Sequence, residues 1–254
     1  MPAAYPLPWD VLTKLAYASL RKQRRSFGAD ARVCLEKLPV KLKIHGGENI
    51  PQTGPCLMIA NHYARPGFGI WWLAIAISAS LPMEVHWIFT AEWTYPGRIR
   101  RTLITPASRV IFERMAKVYE FTTMPAMPPD PRDIERRARA VRHVLAYVRR
   151  TPKPVIGLTP EGRDISGGKL GNPPPGVGRF ISHLSAAGLA LNPVGVYEEN
   201  EGLCLRFGPV FSLQDDLEMP AKEKDRFVSR MVMDRVAALL PGQLRGEFTG
   251  ELEL

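Results

Sequence analysis

The stretch Cys56-Leu-Met-Ile-Ala-Asn-His62 decides the fold. Its first five residues are apolar without a break, too short a run for a helix, and read as a strand buried on both faces. Asn61 and His62 then close the run with two polar side chains. Polar groups at the carboxyl end of a buried strand are where open α/β sheets place their sites.

Outward from this strand the pattern alternates. Upstream, Val40–His45 switches between apolar and polar and reads as a strand, followed by the turn signals Gly46-Gly47 and Pro51–Gly54. Downstream, Phe68–Ser80 predicts a helix and Glu84–Thr90 a strand. Arg109–Lys117 and Asp133–Arg150 predict helices, the second with Ile134, Val141, Leu145 and Val148 near one face amid many arginines. Pro154–Leu158 is a second buried strand, ending at Thr159-Pro160-Glu161-Gly162-Arg163. A helix over Gly176–Ala187, strands over Leu191–Tyr197 and Cys204–Phe207, and a final helix over Lys222–Leu240 complete the chain. Strands and helices in alternation predict an α/β fold, a mixed central sheet flanked by helices. Residues 125–131 and 172–176 are Pro-rich loops, the second a candidate flap beside the site.

Composition narrows the partners. The 254 residues, 45% of them hydrophobic, suffice for one large domain with a real core. A net charge of +9, from 34 Lys and Arg against 25 Asp and Glu, favours anionic partners such as lipid headgroups or phosphorylated substrates. No aromatic-rich RNA-binding motif or zinc signature accompanies that charge, so nucleic acid is not an expected partner. The three cysteines are widely spaced and form no C-x-x-C, which argues against a metal site or a disulfide framework and for a reducing compartment. No basic segment followed by an apolar one opens the chain, so no signal peptide is expected. The uncharged run from Pro66 to Met83 sits at the short edge of a bilayer span and reads instead as a core or membrane-facing helix. Residues 7–26 predict a helix with Trp9, Leu12, Ala16 and Leu20 on one face, Leu15 beside them, and Arg21, Lys22, Arg24 and Arg25 at its end. Two readings stay open for it: a helix at a membrane interface, or an ordinary amphipathic helix docked on the domain.

The order of motifs resembles that of the lysophospholipid and glycerol-phosphate acyltransferases. Their first motif is Asn-His, four residues, then Asp; here it is Asn61-His62-Tyr63-Ala64-Arg65-Pro66-Gly67. The third, Pro-Glu-Gly-Thr-Arg or similar, appears one residue shorter as Pro160-Glu161-Gly162-Arg163, followed by Gly168-Lys169-Leu170-Gly171. The fourth appears as Asn192-Pro193-Val194-Gly195-Val196. The resemblance covers roughly residues 40–212 and implies a glycerolipid acyltransferase-like domain over 36–254, preceded by a basic amphipathic helical segment over 1–35. It implies transfer of a fatty acyl group from a coenzyme A or carrier-protein thioester, a co-substrate, to a hydroxyl of a (lyso)phospholipid or related lipid. No cofactor or metal is implied. The expected place is peripheral, on an anionic membrane surface at its cytoplasmic face.

In such chemistry a hydroxyl is a weak nucleophile and needs a base to take its proton as it attacks. The resemblance assigns that role to His62, with Asn61 beside it. It assigns Pro160, Glu161, Gly162, Arg163 and Lys169 to the acceptor, Arg163 through paired N–H bonds to phosphate and Gly162 through close backbone approach. Backbone N–H groups at the start of the next helix are expected to face the oxyanion.

Two departures define the problem. Gly67 stands where the family has its Asp, the carboxylate that orients the imidazole, and neutralising such a group in a related triad costs roughly 10⁴-fold in turnover. Glu92, Glu161 and Asp164 are the candidates to replace it. The alternative is a non-catalytic lipid-binding protein on the same fold. The second motif, near Lys117–Phe121, lacks its Arg.

Overall fold

A computed structural model describes residues 5–93, 98–127, 130–213 and 219–250. Residues 128–129, inside the first Pro-rich loop, lie outside the described residues. In chain order the elements are α1 (Trp9–Arg21), α2 (Phe27–Glu36), β1 (Leu42–His45), β2 (Cys56–Ala60), α3 (Trp71–Ser80), β3 (His86–Thr90), α4 (Arg98–Tyr119), β4 (Thr122–Met124), α5 (Ile134–Arg150), β5 (Val155–Leu158), α6 (Val177–Ala186), β6 (Ala190–Glu199), β7 (Gly202–Phe207) and α7 (Ala221–Ala237).

The seven strands form one sheet in the order β1-β7-β6-β2-β5-β3-β4. Every neighbouring pair is parallel except β6 and β7, which form an antiparallel hairpin, so the sheet is mixed. The central strand β2 lies between β5 and β6, and all five of its residues are buried, as are the four of β5. Strands covered on both faces have no polar side to alternate with, which is why both read as unbroken apolar runs.

Helix α3 is buried around most of its circumference, with Trp72, Leu73, Ile75, Ala76 and Ile77 in the core and Ser78 accepting the indole N–H of Trp87 at 2.9 Å. Its ten residues reach about 15 Å, half a bilayer core. Among the described residues no helix is long and apolar enough to cross a membrane. The run 66–83 thus holds a core helix over Trp71–Ser80, not from Phe68, because a tight turn in which Arg65 and Phe68 bridge delays its start.

The N-terminal segment is two helices, not one. Lys22 turns the chain in the left-handed region after α1, and Ser26 caps α2 by accepting the Ala29 N–H at 2.9 Å. Both helices contribute to the common core through Val11, Ala18, Ala31 and Cys34. Arg25 forks onto Asp30, which also accepts the Tyr119 hydroxyl at 2.8 Å. The face of α1 that docks is the one carrying Val11 and Ala18; the Trp9–Ala16–Leu20 face points outward, with Trp9 81% and Leu20 74% exposed.

Candidate active site

Because β2, β5 and β6 are adjacent and parallel, their carboxyl ends meet on one edge of the sheet. The first motif follows β2, the third follows β5, and the fourth is β6 itself. Residues some hundred positions apart in sequence thereby come into hydrogen-bond contact: the His62 N–H donates to Glu161 Oε2 at 2.5 Å, across 99 residues.

Asn61 is buried and pairs with β6 twice. Its side-chain amide donates to the Val196 carbonyl at 2.8 Å and accepts the Val196 N–H at 2.7 Å. Glu161 is fully buried, with Oε1 accepting the Gly171 N–H at 2.7 Å while Oε2 holds His62. Burial pushes its pKa above the usual carboxylate value, against the downward pull of these two N–H donors and of His62 and Arg163. With one N–H on each oxygen, Glu161 clamps backbone to backbone: His62, the expected base, to Gly171 in the loop after the third motif.

The imidazole meets a different carboxylate. Nδ1 of His62 lies 3.2 Å from Oδ1 of Asp164, with the His62 side chain 12% exposed and that of Asp164 75% exposed. The ring N–H is not directed well enough at the oxygen to form a full hydrogen bond. The contact nonetheless holds the Asp164 carboxyl below its usual value, His62 outweighing the opposing cost of burial. Glu92 is engaged elsewhere: its carboxylate pairs with Arg109 of α4. Glu161, the third candidate, grips the His62 backbone and not its ring.

Of the residues expected at the acceptor, Pro160 is buried, while Gly162, Arg163 and Lys169 are exposed on the loop after β5. Close backbone approach does not explain Gly162, since an added Cβ would meet only Met127 Cγ at 3.4 Å, an ordinary contact; its φ of +62° is what favours glycine. Close approach occurs instead at Gly168, where a Cβ would come within 2.8 Å of the Tyr63 ring and 3.2 Å of the Ala64 carbonyl. The first-turn N–H groups of Trp72 and Leu73 bond Gly69 and Ile70 carbonyls, so the start of α3 does not hold these two donors free for an oxyanion. Gly67 is exposed with φ +84°, a left-handed turn where a side chain is strained.

Sequence reasoning missed a third tie on the same loop. Glu198, near the end of β6, accepts the Tyr5 hydroxyl at 2.8 Å, the Tyr63 hydroxyl at 3.1 Å, and both Nε and Nη2 of Arg65. The available signal was a cation inside the first motif and a carboxylate just past the fourth, of a kind that only the β2–β6 pairing brings together. Among the described residues no group of three or more His, Cys, Asp or Glu side chains is arranged to hold a metal ion.

The acyltransferase family model matches residues 41–197, more than half of the chain, from just before β1 through most of β6. No match was found among curated proteins. Among solved structures, the 1-acyl-sn-glycerophosphate (LPA) acyltransferase PlsC from Thermotoga maritima is similar, with 14% identity and a TM-score of 0.49 over 92% of this chain and 84% of that one. On the family match, the chain belongs to the acyltransferase family.

Proposed function

We propose that this acyltransferase moves a fatty acyl group from a coenzyme A or carrier-protein thioester to the hydroxyl of a lysophospholipid or related glycerolipid acceptor at a membrane surface, with His62 as general base and Asp164 as the carboxylate that orients it. The observation that carries the reading is the 3.2 Å approach of His62 Nδ1 to Asp164. With Nδ1 turned to Asp164, Nε2 is the nitrogen left to face the acceptor.

In the proposed reaction Nε2 takes the hydroxyl proton as the oxygen attacks the thioester carbonyl carbon. The tetrahedral intermediate collapses by breaking the C–S bond, and the imidazolium returns its proton to the departing thiolate. An ester and a free thiol result. Asp164 steadies the charged imidazolium between those two proton transfers. Arg163 and Lys169, exposed on the adjoining loop, are the cations available to an anionic acceptor. Support for a membrane surface comes from the outward Trp9–Leu20 face of α1, the exposed Arg21 and Lys22 at its end, and the net charge of +9.

The test is thiol release from acyl-CoA and acyl-carrier protein with a panel of lysolipids. The expected outcome is turnover that His62→Ala lowers by about 10²- to 10⁴-fold, the usual worth of a positioned base. Turnover unaffected by that substitution would remove His62 from the mechanism. The second reading, a lipid binder without catalysis, is favoured by Gly67 and by the imperfectly aimed ring N–H. Saturable lysolipid binding with no thiol release from any donor would decide for it.

A further inference from the structure

We propose that Glu198 is a positioning residue for His62, acting through Arg65 and Tyr63; this rests on the reading of His62 as the base. Residues 62–68 contain no helix or strand, so the loop takes its shape from its side-chain ties. On its inner end Asn61 is fixed to Val196. Two residues further along β6, and so on the same side of the strand, stands Glu198. It binds the loop at Tyr63, directly after the base, and again at Arg65.

The pairing is more than a surface contact. The side chains of Arg65 and Glu198 are only 18% and 13% exposed. Arg65 presents Nε and Nη2 together to the two carboxylate oxygens, the forked geometry that fixes direction as well as distance. With the two tyrosine hydroxyls added, Glu198 receives four donors, about the full capacity of a carboxylate. Burial opposes its charge, but Arg65 and the tyrosines outweigh that cost and keep its pKa below the usual Glu value. The Tyr63 ring in turn packs edge-on against Phe68, which meets Tyr5 the same way, so the far end of the loop is braced from the same cluster.

The arrangement divides the work of the carboxylate that Gly67 lacks. Asp164 contacts the ring, and Glu198 fixes the backbone on which the ring is mounted. A displacement of about 1 Å in a reacting group is enough to cost on the order of 10²-fold, so loss of the Glu198 tie should appear in turnover ahead of substrate binding.

The experiment compares Glu198→Gln, Arg65→Gln and the double variant with the wild type and with Glu199→Gln, the exposed neighbouring carboxylate. The expected result is a fall in kcat of about 10- to 100-fold for each single variant, a KM for the thioester within about twofold of wild type as for a lost transition-state contact, and a double variant no worse than the worse single one. Unchanged kcat in folded Glu198→Gln, or losses that add in the double variant, would overturn the proposal. Where Glu198→Gln does not fold, Arg65→Lys keeps the charge and loses the fork; it should lower kcat with little change in Tm, and an unchanged kcat overturns the idea. A wild type inactive on every thioester would sink the acyl-transfer reading but leave a separate measurement. In protein labelled with ¹⁵N-histidine, Glu198→Gln should move the ring resonances of His62 and leave those of His86 in place. Unmoved His62 resonances would count against Glu198 whatever the activity.

Discussion

At the scale of single residues, the proposed chemistry turns on the carboxylate facing His62. Asp164 directly follows Arg163 of a legible motif, yet nothing in the sequence sets it apart from Glu92 and Glu161; the pairing of β2 with β5 brings it to His62. Its titration gives a direct check. The folded-state pKa lies below the ordinary 3.8, so the group favours the folded state above that value, and the benefit is lost as pH falls through the lower folded value. The Asp164 carboxyl should therefore titrate by carbon NMR below 3.8 in the wild type and move back up in His62→Ala. A midpoint indifferent to that substitution would mean the two side chains do not interact in solution. In catalysis, Asp164→Asn should lower kcat by about 10- to 100-fold, well short of the 10⁴-fold of a buried triad Asp, because an exposed and imperfectly aligned carboxylate holds a ring less firmly. Steady-state thiol release measures it, and an unchanged kcat would remove Asp164 from the mechanism. Restoring a carboxylate at position 67 is a poor test by comparison, since its φ of +84° strains any residue but glycine.

At the scale of elements, the strands β2 and β5 were readable to within a residue because strands buried on both faces have no polar positions to blur them. Helix α4 was not: the expectation covered 109–117, whereas the helix runs Arg98–Tyr119 with Pro106 inside it and a largely polar, basic first half. The three-residue strand β4 was missed for want of length, and its Thr122 links the buried His86 to the exposed His143. There His86 Nε2 meets the Thr122 hydroxyl at 2.8 Å, Thr122 meets His143 Nδ1 at 3.1 Å, and the His86 ring stacks on Tyr147 at 3.9 Å. Burial, with help from His143 and Arg150, pushes the His86 pKa from 6.5 down to about 3. Between those two values the unfolded chain binds a proton that the folded one refuses, so stability falls as pH drops across the window. His86→Gln, which retains a partner for Thr122, should flatten the pH dependence of the urea midpoint there; an equally steep dependence would place the acid sensitivity elsewhere.

At the scale of the whole molecule, the sequence reading of the N-terminal helix left two possibilities, and the structure bears on both. Helix α1 is docked, through Val11 and Ala18, and still carries an unmatched apolar face outward. Leu15, expected beside the Trp9–Leu20 face, packs instead against the core with Val11 and Ala18, a second apolar side that periodicity alone does not rank against the first. The proposed membrane setting predicts that the protein sediments with vesicles containing anionic lipid. Trp9→Ser with Leu20→Ser should release most of it without changing Tm, and added salt should weaken the electrostatic part of the binding. Sedimentation indifferent to both changes would assign that face to some other partner.

The pair of hydrogen bonds between Asn61 and Val196 has one more consequence, for measuring motion. β2 pairs with β6 through Ala60, and then a side-chain amide, not a peptide group, takes up both the N–H and the C=O of Val196. The sheet's pairing is carried past the point where the main chain of β2 leaves it. The Val196 amide proton is therefore released to solvent when Asn61 lets go, and Asn61 adjoins the proposed base, His62. Its hydrogen-exchange rate is a clock for opening at His62, readable without substrate or turnover, and a lysolipid that settles into the site should slow it.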